Sequence, residues 1–497
     1  MQRPNILYFM SDDHSANSIS CYGSILSEVF KTPNLDRIGD EGIRMENFYA
    51  TNALCAPARA TIVTGQYGHI NGVRTLADDL DTNNGFPCMP QLIHDSGYTT
   101  AMIGKWHIGS VPVGFDDYKY FCESMTDEKP GQGVYQNPVF AEKGNGIVKH
   151  EGYVSDIITD MSIDWLRNRD TEKPFFMMCQ HKAPHDFWEY PERHENMFDG
   201  VEIPAPDSLF EDRSHRSIAS RDFGSSVTPR NPIRSLYEDF RNENYVTGPL
   251  KVPEDASFEE KGNAAYQKYL KDYLRTVAGI DDSVGAILDE LEAQGELDNT
   301  LIIYTSDQGM FLGEHDYQDK RWSFEESLRS PFLVRYPKEI KPATVTTELA
   351  CNLDVAPLLL DYAGVEVPKA MQGVSFRKLL SGEVEKVRDD VYFRYWMHLA
   401  HRHDNPAHYG IRTKDYKLIF YYGLPLDATG TLKQKTPAGW ELYDLKSDPK
   451  ECMNVYGKEG YDEITKELKA QLAQRKTDYK DTDADYPNLL ERLANTK

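Results

Sequence analysis

Three short apolar runs in this chain each stop abruptly at a cluster of polar residues, and that punctuation restricts the fold more than any other feature. Asn5-Ile6-Leu7-Tyr8-Phe9-Met10 ends in Ser11-Asp12-Asp13-His14. Phe175-Phe176-Met177-Met178-Cys179 ends in Gln180-His181-Lys182-Ala183-Pro184-His185, and Leu301-Ile302-Ile303-Tyr304-Thr305 ends in Ser306-Asp307-Gln308-Gly309. Apolar runs of this length without polar alternation predict strands buried on both faces, as in a parallel sheet. Residues 266–294 carry Tyr269, Tyr273, Val277, Ile280, Val284, Ile287, Leu288 and Leu291 at helical spacing. Strands alternating with such helices predict an α/β sheet with helices on both faces, whose ligands bind beyond the carboxyl ends of the strands. The aspartates, histidines and lysine fall at those ends.

With 497 residues the chain has room for more than one unit. Residues 186–261 are rich in Pro, Arg, Ser and Glu and weakly periodic, which predicts a surface excursion near the active face. Beyond about Gly373, residues 390–395, 409–413, 416–421 and 440–445 alternate as strands of a small antiparallel sheet, followed by a helix over 461–475. The expected division is residues 1–375 as an α/β catalytic unit and 376–497 as a smaller α+β unit.

A formal net charge of -24 argues against a nucleic-acid partner, because phosphate contacts need a basic surface. It leaves room for a local basic pocket. The seven cysteines form no CxxC pair, so neither a zinc ribbon nor a disulfide framework is indicated, and at least one must be unpaired. No stretch approaches the roughly 18 apolar residues of a membrane span. The start has no charged n-region followed by an apolar h-region. The expectation is therefore a periplasmic or secreted location if a leader has been removed, and a cytoplasmic one if Met1 is the native start.

One cysteine stands apart. In Leu54-Cys55-Ala56-Pro57-Ala58-Arg59-Ala60-Thr61-Ile62-Val63-Thr64-Gly65, Pro57 suits the first turn of a helix, where its missing N–H costs nothing. Cys55 then lies at a helix N-terminus, which favours negative charge on or near it, and Arg59 shares its face. A lone buried cysteine is ordinarily structural. The whole string, however, resembles the signature of the type I sulfatases, in which this cysteine becomes Cα-formylglycine (3-oxoalanine). Ala58 stands where many members have Ser, while the family's essential Cys, Pro and Arg are present.

Asp12 and Asp13, adjacent at a strand end, repel each other unless a cation or strong donors intervene. With Asp307 and Gln308 they supply the oxygen chemistry of a hard cation such as Ca2+. These positions match the sulfatase metal site, with Gln308 where members usually carry Asn or His; Gln keeps the carbonyl oxygen and adds a methylene. The resemblance implies Ca2+, with Mg2+ as the alternative, held by Asp12, Asp13, Asp307, Gln308 and the residue made from Cys55.

The basic groups complete the likeness. Gly104-Lys105-Trp106-His107 resembles the family segment whose Lys binds sulfate and whose His supports the hydrated aldehyde. His181-Lys182-Ala183-Pro184-His185 resembles the segment whose last His protonates the leaving oxygen, and Lys320 matches a further sulfate-binding lysine. The family's mechanism implies a gem-diol at Cys55, one hydroxyl of which ionises on the metal and attacks sulfur. Lys105, Lys320 and Arg59 would hold the sulfate oxygens, His185 would protonate the departing alcohol, and His107 would assist the collapse that expels sulfate. A maturing partner follows, either a formylglycine-generating or an anaerobic sulfatase-maturating enzyme. So does an alkaline-phosphatase-like mixed sheet sandwiched by helices.

Several strings, among them Asp319-Lys320-Arg321-Trp322 and His408-Tyr409-Gly410-Ile411-Arg412-Thr413, look like the N-acetylglucosamine-6-sulfatase and mucin- or glycosaminoglycan-desulfating branch. A sulfated carbohydrate is the substrate this implies. Candidate sugar contacts are Lys105, Lys182, His315, Lys320, Arg321 and Trp322, with His398 and His408 from the second unit. Residues 396–408, with Trp396, His401 and His403, read equally as a pocket wall or a polar loop. Two rival classes remain: a phosphomonoester, phosphodiester or phosphonate hydrolase of the same superfamily, and a non-catalytic binding protein on the same fold.

Overall fold

A computed structural model of the chain describes residues 3–82 and 88–496. All three apolar runs are strands of one eleven-stranded sheet, spanning Asn5–Ser11, Phe175–Gln180 and Thr300–Ser306. The sheet's centre runs Thr300–Ser306, Asn5–Ser11, Phe175–Gln180, Thr99–Gly104 and Asp117–Ser124, each parallel to the next. Antiparallel strands flank this block, beginning with Phe332–Arg335 on one side and Val139–Glu142 on the other.

Both faces are covered, which is why the central strands tolerate no polar alternation. Ile6, Tyr8 and Met10 pack with Ala56, Ala60, Val355 and Leu358, from helices Cys55–Thr64 and Val355–Ala363. Leu7 and Phe9 pack on the other side with Val154, Ile158, Ile280 and Ile287, from helices Val154–Asn168 and Phe258–Ala293. The last of these begins earlier than its apolar spacing predicts. Its first turns lack a stripe but open with a capping box, in which Ser257 and Glu260 satisfy each other's backbone N–H groups.

A separate four-stranded antiparallel sheet follows, from Asp390–Tyr395, His408–Thr413, Tyr416–Tyr421 and Gly439–Asp444, paired in sequence order. Helix Asp462–Asp478 packs on it through Leu468 and Leu472. All seven cysteines are free, and no helix among the described residues is long and apolar enough to cross a membrane.

Of residues 186–261, those before the long helix begins at Phe258 hold only short helical turns, such as Asp207–Phe210 and Leu236–Phe240, yet they are not loosely attached. Trp188, Phe198, Leu209 and Phe240 are buried against Tyr266, Tyr269 and Tyr273 of the long helix. These anchors occur singly, so they leave no periodic trace.

The long helix also braces the loop after the first strand. Tyr273 Oη accepts from Ser15 N at 2.9 Å and donates to Asp13 O at 2.8 Å. Asp13 has φ of 64°, a left-handed conformation that a residue with a side chain keeps only when its surroundings hold it. Tyr273→Phe leaves both main-chain groups buried without this partner, and is expected to lower stability by about 1–3 kcal/mol in urea unfolding.

Candidate active site

The strand register assembles the site. Ser11 pairs with Ser306, so the next residues, Asp12 and Asp307, emerge side by side. Gln180 pairs with both Met10 and Gly104, bringing His181 and Lys105 to the same rim. Main-chain bonds from Asp12 N to Ala183 O (3.2 Å) and from Lys105 N to Gln180 O (2.8 Å) carry the alignment past the sheet.

Cys55 is the first residue of helix Cys55–Thr64, all ten residues of which are buried, and Gly65 closes it in the left-handed conformation. Leu54 caps the helix without a side-chain bond, leaving its first amides uncommitted to a capping side chain. Cys55 Sγ lies 4.0 Å from Asp13 Oδ1 and 3.9 Å from Gln308 Nε2. Burial, then Asp12, push the thiol far above its ordinary value, and Lys320 and Lys105 offset only part of this.

Three cations neutralise the three carboxylates. Arg59 Nε bonds Asp307 Oδ2 at 3.0 Å, its Nη1 donates to Lys105 O (2.6 Å) and Gln180 Oε1 (2.8 Å), and its Nη2 stands 3.5 Å from Asp12 Oδ1. Lys105 Nζ bonds Asp12 Oδ2 and Gln132 Oε1. Lys320 Nζ reaches Asp13 Oδ2 at 2.5 Å and Asp319 Oδ1 at 3.1 Å. Burial would raise all three carboxyls, but the outcomes diverge. Lys105, His185 and Arg59 hold Asp12 well below the usual range. Asp13 stays raised despite Lys320. Burial together with Asp12 drives Asp307 up to about 8 against the pull of Arg59.

The donor set suits a hard divalent cation. Asp12, Asp13 and Asp307 bring one oxygen each to within 4.8 Å of one another, as do Asp12, Cys55 and His185 with their own ligand atoms. Asp12 Oδ1 and Gln308 Oε1 are buried and accept no hydrogen bond, although buried oxygens ordinarily find a donor. Gln308 Nε2 donates to Asp13 Oδ1 at 2.5 Å, which restrains the amide while leaving its oxygen free to act as a ligand.

Comparison with known proteins identifies the family. The sulfatase family model matches residues 4–365, and the model for the C-terminal region of N-sulphoglucosamine sulphohydrolase matches 313–478. The chain belongs to the sulfatase family. It is a sulfuric ester hydrolase, and the family is in general one of metal-dependent formylglycine enzymes. An N-acetylglucosamine-6-O-sulfatase of Bacteroides thetaiotaomicron is 41% identical, covering 97% of this chain and 88% of that protein. A solved structure described as a complex with its substrate D-glucosamine-2-N,6-O-disulfate has 39% identity and a TM-score of 0.85, covering 98% of this chain and 100% of the other. The phosphonate monoester hydrolase of Agrobacterium radiobacter shares the alkaline-phosphatase-like fold, with a TM-score of 0.71 and 20% identity over 96% of each chain.

Within this sulfatase the expected site residues separate into two groups. Cys55, Arg59, Lys105, His185, Lys320, Asp12, Asp13, Asp307 and Gln308 converge as described. His107 is joined to them through Gln132, whose Nε2 donates to His107 Nε2 at 3.0 Å. Lys182 sits over the Tyr135 ring (5.1 Å), where burial and then Lys105 lower its ammonium to about 8. Arg321 shares Asp319 with Lys320, through Nε at 2.9 Å.

The other expected sugar contacts are committed to the interior. His315 Nδ1 lies 2.7 Å from Arg216 Nη2 and 3.0 Å from Glu211 Oε2, accepting from the first or donating to the second according to its tautomer. Both ring nitrogens of His398 bond main-chain atoms, of Gln434 and Ala407. Trp322 stacks between Tyr317 and His408, and His408 Nδ1 donates to Pro406 O. All four are buried with protein partners. Of residues 396–408, His403 alone bonds the site's carboxylates, reaching Asp319 Oδ2 at 3.2 Å. Gln132, Asp186 and Arg234 escaped the sequence reading, since an isolated Gln, Asp or Arg carries no motif.

Arg59 makes three hydrogen bonds to protein groups through Nε and Nη1. Arg59→Met leaves Asp307 buried without its cation and is expected to cost about 3–5 kcal/mol in denaturant unfolding.

Proposed function

We propose that this sulfatase hydrolyses the 6-O-sulfate of N-acetylglucosamine or a related glucosamine residue in a sulfated glycan, using formylglycine made from Cys55 and a divalent cation, Ca2+ by the chemistry of its ligands. The observation that carries the substrate is the near full-length likeness to an N-acetylglucosamine-6-O-sulfatase, at 41% identity. The reaction is supported by the site itself. Asp12, Asp13 and Asp307 are balanced by Arg59, Lys105 and Lys320, so a bound divalent cation leaves the cleft net positive, as an anionic ester requires.

In this reading Asp12, Asp13, Asp307 and Gln308 Oε1 hold the cation, which together with the hydrated aldehyde supplies an activated oxygen nucleophile. Lys105 and Lys320 bind the sulfate oxygens. Arg59 acts chiefly by fixing the carboxylates, since its Nε and Nη1 are occupied. His185 holds a proton for the departing sugar oxygen, and His107 is poised by Gln132 to serve the release of sulfate. Lys182 and Arg321 are proposed sugar contacts. Cys55 is only 1% exposed, so the maturing enzyme must reach it before the chain folds. We place the catalytic unit at residues 1–375 and the smaller unit at 376–497.

Three measurements test this reading. N-acetylglucosamine 6-sulfate should be turned over well ahead of an aryl phosphate; faster phosphate turnover overturns it. Cys55→Ala should remove activity while the thermal midpoint stays within a few degrees, and the mass of the native peptide spanning Cys55 should show the aldehyde. Ca2+ should raise the thermal midpoint of the wild-type protein and do so much less in Asp307→Ala, because an ion bound only by the folded chain stabilises it.

A further inference from the structure

Behind the proposed proton donor lies a group that no motif identifies. His185 Nδ1 is 2.7 Å from Asp186 Oδ1 and 2.9 Å from the main-chain oxygen of the same residue. Both oxygens only accept, so Nδ1 carries a hydrogen. That leaves Nε2, 3.7 Å from Asp13 Oδ2, as the nitrogen turned toward the reacting centre. Tyr135 fixes the backbone of the same residue, donating to His185 O at 2.5 Å.

Asp186 is itself held from behind. Arg234 Nη2 approaches its Oδ2 at 3.2 Å, and Arg234 Nη1 bonds His403 Nε2 at 2.6 Å. His403 Nδ1 reaches Asp319 Oδ2 at 3.2 Å, Asp319 Oδ1 reaches Lys320 Nζ at 3.1 Å, and Lys320 returns to Asp13. The contacts form a closed ring through the strand-end loops, the 186–261 segment and the second unit. Burial acts to raise the Asp186 carboxyl, but His185, Lys320 and Arg234 hold it well below the usual carboxylate range.

We propose that Asp186 is a positioning residue for the reaction: its carboxylate holds Nδ1–H, opposes the charge of the doubly protonated ring and fixes its tilt, with Arg234 clamping the carboxylate, so that Nε2 presents the second proton to the departing oxygen. This rests on the reading of His185 as proton donor. As the nucleophile's oxygen bonds to sulfur, the sulfur–oxygen bond to the alcohol breaks and leaves its electron pair on the alcohol oxygen. That oxygen takes the proton from Nε2. His185 ends neutral, its remaining hydrogen on Nδ1 and still held by Asp186. An amide at position 186 carries no charge to oppose a doubly protonated ring, and with its NH2 turned toward Nδ1 it would leave the Nε2 proton on a neutral imidazole, a far weaker acid.

The test is dependence on the leaving group. A sugar alkoxide needs a proton as it departs; a 4-nitrophenolate needs it far less. Wild type, Asp186→Asn, Asp186→Glu and Arg234→Met are assayed on N-acetylglucosamine 6-sulfate and 4-nitrophenyl sulfate, with thermal melts alongside. Asp186→Asn should lose about 100-fold in kcat on the sugar ester, exceeding its loss on the aryl ester by at least about tenfold, with KM little changed. Asp186→Glu should recover part of that loss. Equal losses on both esters, or no loss on the sugar ester, overturn the proposal. If Asp186→Asn does not fold, Arg234→Met decides the matter, because it should show the same selectivity at smaller amplitude. A wild-type enzyme inactive on both esters would instead refute the proposed function, which separates the two failures.

Discussion

Burying three carboxylates at neighbouring strand ends is the constraint around which the rest of this molecule is arranged. Like charges in a low-dielectric interior repel strongly and demand nearby cations. Asp12 and Asp307 come from strands that are distant in sequence, and only the fixed register between Ser11 and Ser306 brings them together. A slip of one residue would send the strand's side chains to opposite faces. The apolar strands therefore serve the polar site directly, since their burial on both sides locks that register. Arg59 then spans the two strand ends with one rigid guanidinium, which a lysine's single ammonium cannot imitate.

The remaining cations are delivered by segments that need backing of their own. Lys320 lies in a loop where Asp319 and Arg321 both have positive φ, 72° and 77°. Such a loop keeps its shape only under external restraint. Trp322 provides it, stacked on Tyr317 and on His408 of the second sheet. The small antiparallel sheet thus contributes to the cleft mostly at second hand, through packing. The 186–261 segment acts similarly, its buried aromatics setting the position from which Arg234 reaches Asp186 and His403.

This division explains what the sequence revealed and what it hid. The central strands were legible because unbroken apolar runs have few other solutions. The short strands after residue 390 were legible from alternation. The cysteine, the aspartates and Lys105, Lys320 and His185 were legible because they sit in strings whose order along the chain is distinctive. The place of His315, Trp322, His398 and His408 was not legible for a physical reason: a histidine or tryptophan beside a site string has the same composition whether its ring faces the cleft or the core. The choice is made by partners such as Glu211 and the carbonyl of Gln434, which lie far away in sequence. Asp186 and Arg234 were invisible for the opposite reason, each being an ordinary polar residue until the fold brings them together.

The unpaired atoms of the cleft bear on how stability and chemistry are traded here. Asp12 Oδ1, Arg59 Nη2, Gln308 Oε1 and His107 Nδ1 are all buried without a hydrogen bond. A buried polar group left so costs about 1–3 kcal/mol, more when charged. They are nonetheless held rigid by neighbours that are well bonded: Arg59 through Nε and Nη1, Gln308 and His107 through an amide N–H. A set of unsatisfied valences on restrained side chains is already organised for whatever binds them, so little ordering cost remains at binding. The glutamine at 308 fits this logic despite its extra methylene. Its bond to Asp13 removes the freedom that the longer side chain would otherwise bring, and leaves the amide oxygen as the one valence it can offer.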